Sequence, residues 1–491
     1  MSVSPRSAGG VAAGHDAVCE AAVRVLDAGG NAIDAAVAAG FASAVCEPAL
    51  ASLGGGGFLL SRGADGRVVA YDFFVDTPGR ELPAGELEPH FVPVTVRFPG
   101  ADQVFHCGVG SVAVPGALAG FLHVHGREGR LPLREVVTPA IELARGGVVL
   151  NAHQAYFLGL LRPIVTLTAG GRAIYAARGD VVAEGDRLAN PDLAGFLEAL
   201  PGSASDLYRG ALAGRIARDM HEGGGLVTAA DLAAFRVRER EPLRAVYRGH
   251  TLLTNPPPSL GGTLVAHSLA RLERAGPAPA GPASPAHVLA LAAVMEEVDR
   301  QRAEGRVFTR GTTHVSVCDG EGNAASMTTS NGEGSGYVVP GTGILMNNML
   351  GEDDLHPDGF HAAPPGERVV SMMSPSLLLR PDGGLRLVLG SGGSKRIRTA
   401  LLQVISLVAD FDLGVAEAVE HPRIHWDGEC LQVEPGLPDA ALRALESRWP
   451  TNRWEERNVY FGGVNALEPG IGGAGDSRRG GSARFAAGSR S

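Results

Sequence analysis

The residues most able to do chemistry lie at the junction Gly311-Thr312-Thr313-His314. A threonine hydroxyl alone is a weak nucleophile, and the free α-amino group of an N-terminal threonine is one base that activates it. The ordinary pKa of such an amine is about 7.7–8, so much of it is neutral if the site lowers that value slightly. Thr312 lies far inside the chain, so the backbone would first have to be cut before it. Glycine at 311 leaves room for that attack, but the same residues are also typical of a strand that starts with a β-branched pair.

Predicted strands on either side of a turn would position Thr312. His314–Cys318 and Ala324–Ser330 are strand-like runs, and the turn-rich Asp319–Asn323 between them predicts a hairpin. A third predicted strand, Leu385–Leu389, leads into the glycine-rich turn Gly390–Ser394. Apolar residues at helical spacing then predict a helix, namely Ile397, Leu401, Val404, Ile405 and Val408.

Helices are also predicted before the junction. Apolar residues at helical spacing predict a helix from about Asp16 to Ala28, and Asn31 caps a second one that runs to about Val45. The second helix is apolar on almost all sides, which is typical of a buried helix. The residues 110–250 are typical of helices separated by turns, and Asn255–Pro258 is predicted to be an extended, non-helical segment. Ala275–Ala286 is the best linker candidate, followed by a helix from about 287 to 303. Strands that meet helices in this way indicate an α+β fold, a layered αββα sandwich.

Size, composition and charge bound the class of protein. The 491 residues require two domains or one large multilayer domain, and 45% apolar with 20% charged residues is ordinary for a soluble protein. A net charge of −10 offers no basic surface for nucleic acid. No apolar run reaches the roughly 18–20 residues of a membrane span, and Met1–Gly10 does not read as a leader, so we expect a cytoplasmic protein without a membrane partner.

Several common enzyme sites are excluded by their missing motifs. There is no P-loop, G-x-S-x-G or H-E-x-x-H sequence. The five scattered cysteines predict neither disulfides nor a zinc ribbon. Gly470, Gly472 and Gly475 match G-x-G-x-x-G without room for a βαβ unit, and Pro422 separates His421 from His425, which is expected to enter a strand. We therefore expect no metal and no organic cofactor.

Motifs in order along essentially the whole chain resemble the γ-glutamyltransferase family, within the N-terminal-nucleophile (Ntn) hydrolases. The sequence after the junction, TTHVSVCDGEGNAASMT, is similar to the start of that family's small subunit. Further similar segments are Asn31–Ala38, Leu53–Phe58, Val114–Gly116, Pro256–Ser259, Gly343–Asn348, Met373–Pro375 and Ala474–Arg478. Each motif is weak alone, and their common order carries the resemblance.

The resemblance implies a self-cleaving enzyme with a four-layer αββα fold and a helical large-subunit portion. Residues 1–311 would form the large part and 312–491 the small part, as one intertwined domain and a heterodimer of its own fragments, with higher homo-oligomers possible. Thr312 would be the nucleophile, and its own amine the base. A gapless match to the family's glycine-rich turn places the two oxyanion donors at Gly393 and Ser394. Ser330 falls where the family has a hydroxyl residue close to the nucleophile.

The substrate pocket departs from the family pattern. The arginine that would bind a glutamyl carboxylate is missing, because the segment reads Asp72–Asp76 with Pro83 near the expected place and Arg80 out of register. Glu352 stands where the family has an aspartate, Met349 stands where it has a glutamine, and Met372 replaces the second of two serines. The full set assigned to substrate binding is Asn331, Glu352, Ser371, Met372, Gly392, Lys395 and Arg80.

Lys395 is the only lysine among 43 basic residues, and it adjoins the proposed oxyanion turn. We hypothesise that it binds a substrate carboxylate in partial replacement of the missing arginine. A solvated lysine at a helix start is the alternative.

The resemblance admits three kinds of enzyme: one that acts on a donor such as glutathione, an acylase that acts on another amide, or a C–C hydrolase of a biosynthetic pathway. A catalytically silent relative is the alternative from a different class.

Overall fold

The computed structural model describes residues 9–83, 87–88, 90–98, 101–177, 179–203, 206–276, 281–300, 311–352, 355–356, 359–360 and 362–487, without the side chains of 101 and 102. The predicted helix end near 303 therefore lies outside the described residues, as do residues 277–280 of the candidate linker.

The strands are named here in chain order. They are β1 (Gly10–Ala13), β2 (Gly56–Arg62), β3 (Val68–Phe73), β4 (Val92–Phe98), β5 (Ala101–Cys107), β6 (Val148–Val149), β7 (Arg187–Leu188), β8 (Arg238–Arg240), β9 (Leu243–Tyr247), β10 (His250–Thr254), β11 (Thr313–Cys318), β12 (Ala324–Ser330), β13 (Val338–Val339), β14 (Ile344–Leu345), β15 (Ser376–Leu379), β16 (Leu385–Gly392), β17 (Ile424–Trp426), β18 (Leu431–Val433), β19 (Thr451–Arg453), β20 (Gly463–Glu468), β21 (Gly472–Ala474) and β22 (Ser482–Phe485).

The helices are named in the same way. They are α1 (Asp16–Asp27), α2 (Ala32–Cys46), α3 (Ala117–Glu128), α4 (Leu133–Gly146), α5 (Ala152–Leu160), α6 (Arg162–Val165), α7 (Ala169–Tyr175), α8 (Pro191–Ser203), α9 (Asp206–Arg209), α10 (Ala211–Gly223), α11 (Ala229–Ala234), α12 (Leu260–Arg274), α13 (Pro285–Arg300), α14 (Arg396–Phe411), α15 (Val415–Glu420) and α16 (Asp439–Glu446).

Two antiparallel sheets form the centre of the molecule. The seven-stranded sheet has the order β22-β1-β11-β12-β2-β3-β8, and the six-stranded sheet has the order β21-β20-β16-β15-β10-β9. Strands from before and after residue 311 are neighbours in both sheets, since β12 pairs with β2 and β15 pairs with β10. The chain on either side of this residue therefore belongs to the same layers.

The two sheets face each other, and helices cover their outer faces. Ser326 and Ser316 of the first sheet donate hydrogen bonds of 2.9 and 3.0 Å to the carbonyls of Leu389 and Asn465 in the second. α1 and α2 pack on the seven-stranded sheet, and α12 and α14 pack on the six-stranded one. The expected four-layer αββα fold is confirmed.

The predicted helix α2 is confirmed together with its cap. The Asn31 side chain accepts from the amides of Ile33 and Asp34, while Asp34 accepts from the Asn31 amide, which completes a capping box. Every residue of the helix is buried, as its apolar sequence predicts. Glu47, directly after the last residue of this helix, lies in the interior and accepts a hydrogen bond from Thr313 of β11.

One predicted boundary is wrong. β16 does not end at Leu389 but continues to Gly392, because Gly390, Ser391 and Gly392 pair with β20. The glycine-rich run is therefore strand in its first half and turn in its second.

Two other regions match the predictions closely. α13 follows the linker as expected, although it begins at Pro285. Asn255–Pro258 is non-helical as predicted, but residues 257 and 258 form a turn and are not extended. The expected strand at His425 is β17, where its buried ring lies 3.0 Å from the Thr399 hydroxyl rather than beside His421. In the described part of the chain, no helix has the length and apolar character needed to cross a bilayer.

Candidate active site

Thr312 lies directly before β11, and its side chain is buried. The backbone before it is tightly enclosed. A β-carbon at Gly311 would lie 2.3 Å from the Gly332 carbonyl oxygen and 2.6 Å from the Ala49 carbonyl oxygen. Any larger residue would have to displace this backbone, so glycine is required at 311 by packing.

Ser330 connects the hydroxyl of Thr312 to the bond that precedes it. The hairpin register, Thr313 opposite Thr329, sets Thr312 and Ser330 across from each other. The Ser330 hydroxyl donates to the Gly311 carbonyl oxygen at 2.5 Å, and its oxygen lies 3.5 Å from Thr312 Oγ1. A donor on that carbonyl withdraws charge from its carbon, which favours attack by the neighbouring hydroxyl.

The hairpin that carries both residues is fixed by its turn and by α2. One oxygen of the Asp319 carboxylate accepts from the amides of Glu321 and Asn323, each at 2.9 Å. The other oxygen accepts from the Ala32 amide at the start of α2, at 3.0 Å. These bonds make a tight turn and tie the hairpin to the first helix of the core.

The end of β16, directly before the turn predicted to hold the oxyanion donors, lies against Thr312. A β-carbon on Gly392 would lie 2.1 Å from the Thr312 carbonyl oxygen. Gly393 and Ser394 have φ angles of 118° and 54°, in the left-handed region. Among the residues that the structure describes, neither amide donates to a backbone carbonyl. Two such free amides in succession suit a developing negative charge.

The close approach at Gly392 leads to a prediction for Gly392→Ala. The added methyl group would have to displace Thr312 or the turn, and such overpacking costs about 1–3 kcal/mol. We expect a lower Tm together with slower catalysis. The control is Gly195→Ala, in the middle of α8, where a β-carbon meets no atom within 4 Å. An unchanged Tm and full activity for Gly392→Ala would contradict this packing.

Lys395 directly precedes α14, as the sequence predicts, but it is not solvated. Its exposed fraction is only 7%. It is also one of the charges that lower the pKa of the buried His425, for which burial itself is the main cause. The alternative of a solvated helix-start lysine is therefore wrong, whereas its role toward substrate stays a prediction.

Glu352 and Asn331 lie beside Ser330. The Gly332 amide donates to the Ser330 hydroxyl at 3.1 Å, and a β-carbon on Gly332 would lie 2.1 Å from a carboxylate oxygen of Glu352. The Asn331 amide donates to the Leu50 carbonyl at 3.2 Å, and its own side-chain oxygen is buried without a hydrogen-bond partner among the described residues. The structure thus places the Glu352 carboxylate next to Gly332 and the Asn331 amide directly after Ser330.

Ser371 and Met372 belong to a segment that contacts the first residues of α12. The Ser371 carbonyl accepts from the Leu260 and Gly261 amides at 2.9 and 3.2 Å, and its hydroxyl accepts from the Met373 amide at 3.1 Å. Met372 is buried, and its carbonyl accepts from Ser374. These contacts hold the helix start, and the substrate role assigned to the two residues stays a prediction.

Arg80 has a partner outside this group of residues. Its guanidinium lies 3.8 Å from the Asp231 carboxylate in α11, and 42% of its side chain is exposed. It lines an open groove together with Glu81, Leu82 and Leu87. No described contact joins it to Thr312, and its assignment to substrate binding stays a prediction.

Two charged residues that the sequence reasoning missed flank Thr312 and Thr313. The Thr313 hydroxyl lies 3.0 and 3.1 Å from the two carboxylate oxygens of Glu47. The Arg479 guanidinium donates to the Thr312 carbonyl at 3.4 Å. A signal for the arginine existed, since it directly follows the motif that ends at Arg478, whereas nothing in the local sequence marks Glu47.

Burial dominates the electrostatics of this centre. It raises the pKa of Glu47 to about 7, against the opposing effects of hydrogen bonds from Thr313 and Ser43 and of the Arg479 charge. It lowers the pKa of Arg479 to about 10 and that of His314 to about 3. His314 is therefore a neutral ring, and it bonds to the hydroxyls of Thr328 and Ser316. Over the described ranges, no group of three or more acidic, histidine or cysteine residues could hold a metal ion.

Comparison with known proteins identifies the family of this chain. The chain matches the family model described as gamma-glutamyltranspeptidase over residues 19–306 and 300–486. Among curated proteins, it is 34% identical to the acylase ACY 1 proenzyme of Pseudomonas sp. (strain SE83), covering 94% of this chain and 90% of the relative. It is 32% identical to the glutathione hydrolase proenzyme of Escherichia coli (strain K12), covering 90% and 86%.

A solved structure is similar over nearly the full length. The cephalosporin acylase from Bacillus halodurans superposes with a TM-score of 0.82 at 25% sequence identity, covering 99% of this chain and 97% of that one. The relatives thus include both glutathione hydrolases and acylases, and both curated relatives are named as proenzymes.

Proposed function

From the premise that this chain is an enzyme of the γ-glutamyltranspeptidase family, we propose that it cuts itself before Thr312 and then uses the released threonine to cleave a small amide. The observation that carries this proposal is the 2.5 Å hydrogen bond from Ser330 to the carbonyl of the bond to be cut, with Thr312 Oγ1 beside the same serine. The proenzyme names of the relatives support self-processing.

In the self-cleavage step, Thr312 Oγ1 attacks the Gly311 carbonyl carbon, and the Ser330 hydroxyl stabilises the negative oxygen. The carbon–nitrogen bond then breaks, and the nitrogen gains a proton and becomes the free amine of Thr312. Water hydrolyses the resulting ester, which leaves a carboxylate at Gly311 and a free hydroxyl on Thr312. The oxygen that attacks in this step is the one that later attacks substrate.

In turnover, the Thr312 amine takes the proton of its own hydroxyl as Oγ1 attacks the substrate amide. The amides of Gly393 and Ser394 stabilise the tetrahedral oxyanion. The protonated amine then passes its proton to the leaving nitrogen, and the acyl group remains as an ester on Thr312. Water or an acceptor amine resolves that ester. These steps need no metal and no organic cofactor.

The fragments 1–311 and 312–491 would remain together as a heterodimer. Separating them would break the strand pairs β12–β2 and β15–β10 and expose the core between the sheets. Higher oligomers and a cytoplasmic location stay predictions of the sequence.

The substrate would be an amide whose acyl group carries a carboxylate, and two donor classes fit. A γ-glutamyl donor would place its amino group near Glu352 and the Asn331 oxygen. An acylase donor without that amino group is favoured by the similarity to acylases. A competition assay of γ-glutamyl and glutaryl anilides on the processed protein separates them, with Thr312→Ala as the blank. Cleavage of neither donor by correctly processed protein would contradict this substrate class.

Removal of Lys395 tests how the donor carboxylate is bound. We expect Lys395→Ala to lower kcat/KM for a carboxylate-bearing donor by about tenfold to a hundredfold, because a hydrogen bond to a charged group contributes roughly 1.5–3 kcal/mol. Lys395→Arg keeps the charge and should lose less. The matched donor amide, in which a carboxamide replaces the carboxylate, should respond little. Unchanged kcat/KM for the carboxylate donor in Lys395→Ala would exclude this role.

A further inference from the structure

Arg479 is a buried cation with no direct ion pair to any described residue. Its exposed fraction is 6%, and within the described chain no carboxylate lies within 4.0 Å of it. Its favourable contacts are two long hydrogen bonds, each 3.4 Å, to the carbonyls of Thr312 and Val459, and the ring of Phe157, whose centroid lies 5.6 Å from the guanidinium carbon. Its Nε has no acceptor among the described residues. A buried charge with so little compensation lowers the stability of the folded protein, which indicates that the residue has a function.

This guanidinium lies between the backbone of Thr312 and the glycines at the end of β16. One terminal nitrogen bonds the Thr312 carbonyl, and β-carbons built on Gly392 and Gly393 would lie 3.2 and 3.1 Å from its terminal nitrogens. The backbone nitrogen and carbonyl oxygen of one residue are about 3 Å apart. The future amine of Thr312 therefore lies within about 7 Å of the charge, whatever the local conformation.

We propose that Arg479 is a positioning residue whose charge keeps the released α-amino group of Thr312 unprotonated at neutral pH, so that this amine can act as the base. The inference rests on the proposed function, because the amine exists only after cleavage before Thr312. A cation close to an amine disfavours the protonated form, and in a buried site a solvent of high dielectric constant does not screen the effect.

Glu47 carries the opposite charge to Arg479 and lies against the neighbouring Thr313. It contacts the Thr313 hydroxyl, and its pKa near 7 means that it loses its negative charge as the pH falls. The Arg479 charge is then unopposed in the acidic range in which the Thr312 amine would otherwise take up a proton. Arg479 and Glu47 together would therefore keep the Thr312 amine unprotonated, and the enzyme active, at lower pH.

Other charged or titratable groups also face this centre. Arg396 at the start of α14, Asp476 and Arg423 all act on the Arg479 charge, and His153 of α5 is in turn affected by it. The other titratable side chains around the nucleophile are His314 on β11, which is neutral, Lys395 beside the turn, and Glu352 next to Gly332. All of them stay in place when only Arg479 or Glu47 is changed, so the comparison of variants isolates this pair.

The test is the pH profile of kcat/KM for the processed enzyme. An ordinary α-amine has a pKa of about 7.7–8. We expect Arg479→Gln to move the acid limb of the profile to higher pH by about one unit or more, and Arg479→Lys to move it less. Glu47→Gln leaves the Arg479 charge unopposed at every pH, as protonation of Glu47 already does in the acidic range, so its acid limb should lie at or slightly below that of the wild type and never above it.

Each contrary result has a distinct meaning. Wild-type protein that never cuts before Thr312 would defeat the proposed function itself. Processed Arg479→Gln with an unmoved acid limb would overturn only this inference, even if KM for the donor had risen. If neither Arg479→Gln nor Glu47→Gln cuts itself although both fold, the pair acts on the precursor, where no free amine exists, and the inference is also overturned.

Discussion

Thr312→Ala is expected to remain a single chain of 50.6 kDa and to lose all but a trace of amide cleavage. The variant lacks the oxygen that attacks the Gly311 carbonyl and later the substrate. Loss of a nucleophile of this kind lowers kcat by roughly 10⁴–10⁶. Intact mass spectrometry and a steady-state amidase assay measure the two effects separately.

The matched control for that variant is Thr312→Ser, which keeps the hydroxyl and the α-amine. We expect it to cut itself and to retain measurable activity. Both variants remove the threonine methyl group, so a difference between them reports the oxygen alone. A Thr312→Ala protein that is still cut before residue 312, or that still turns over amides, would contradict the assignment of the nucleophile.

Ser330→Ala is expected to slow self-cleavage by about 10²–10³, the usual loss when one donor to an oxyanion is removed. The reason is the hydrogen bond from the Ser330 hydroxyl to the Gly311 carbonyl oxygen. The rate is followed as the disappearance of the full-length chain after synthesis. Because Ser330 is buried, the Tm of the unprocessed protein should be measured alongside.

Ser330→Thr is the control for that experiment, since it keeps a hydroxyl at the same position in β12. We expect it to cut itself faster than Ser330→Ala. Equal rates in the wild type and in a folded Ser330→Ala variant would show that the serine is a packing residue with no part in the cleavage step.

Local sequence was sufficient to predict the elements that carry the site. Asn31 and Asp34 form the cap that fixes the start of α2, and Asp319 with Asn323 forms the turn that pairs β11 with β12. Both features depend on residues within a few positions of each other. This is why the capped helix and the hairpin could be predicted locally, whereas Ser330 was placed near the nucleophile only by the family resemblance.

The features that could not be foreseen depend on contacts between distant parts of the chain. Glu47 meets Thr313 across 266 positions, and Arg479 meets Thr312 across 167. The glycines after Leu389 favour a turn locally, yet pairing with β20 keeps them in a strand as far as Gly392. In each case tertiary packing decides what the local sequence leaves open.

The most direct measurement is the intact mass of the wild-type protein under denaturing conditions, followed by N-terminal sequencing of the smaller product. Self-cleavage predicts two fragments that correspond to residues 1–311 and 312–491, the second beginning Thr-Thr-His-Val. A single stable chain of 50.6 kDa, or a fragment that begins at any other residue, would contradict the account.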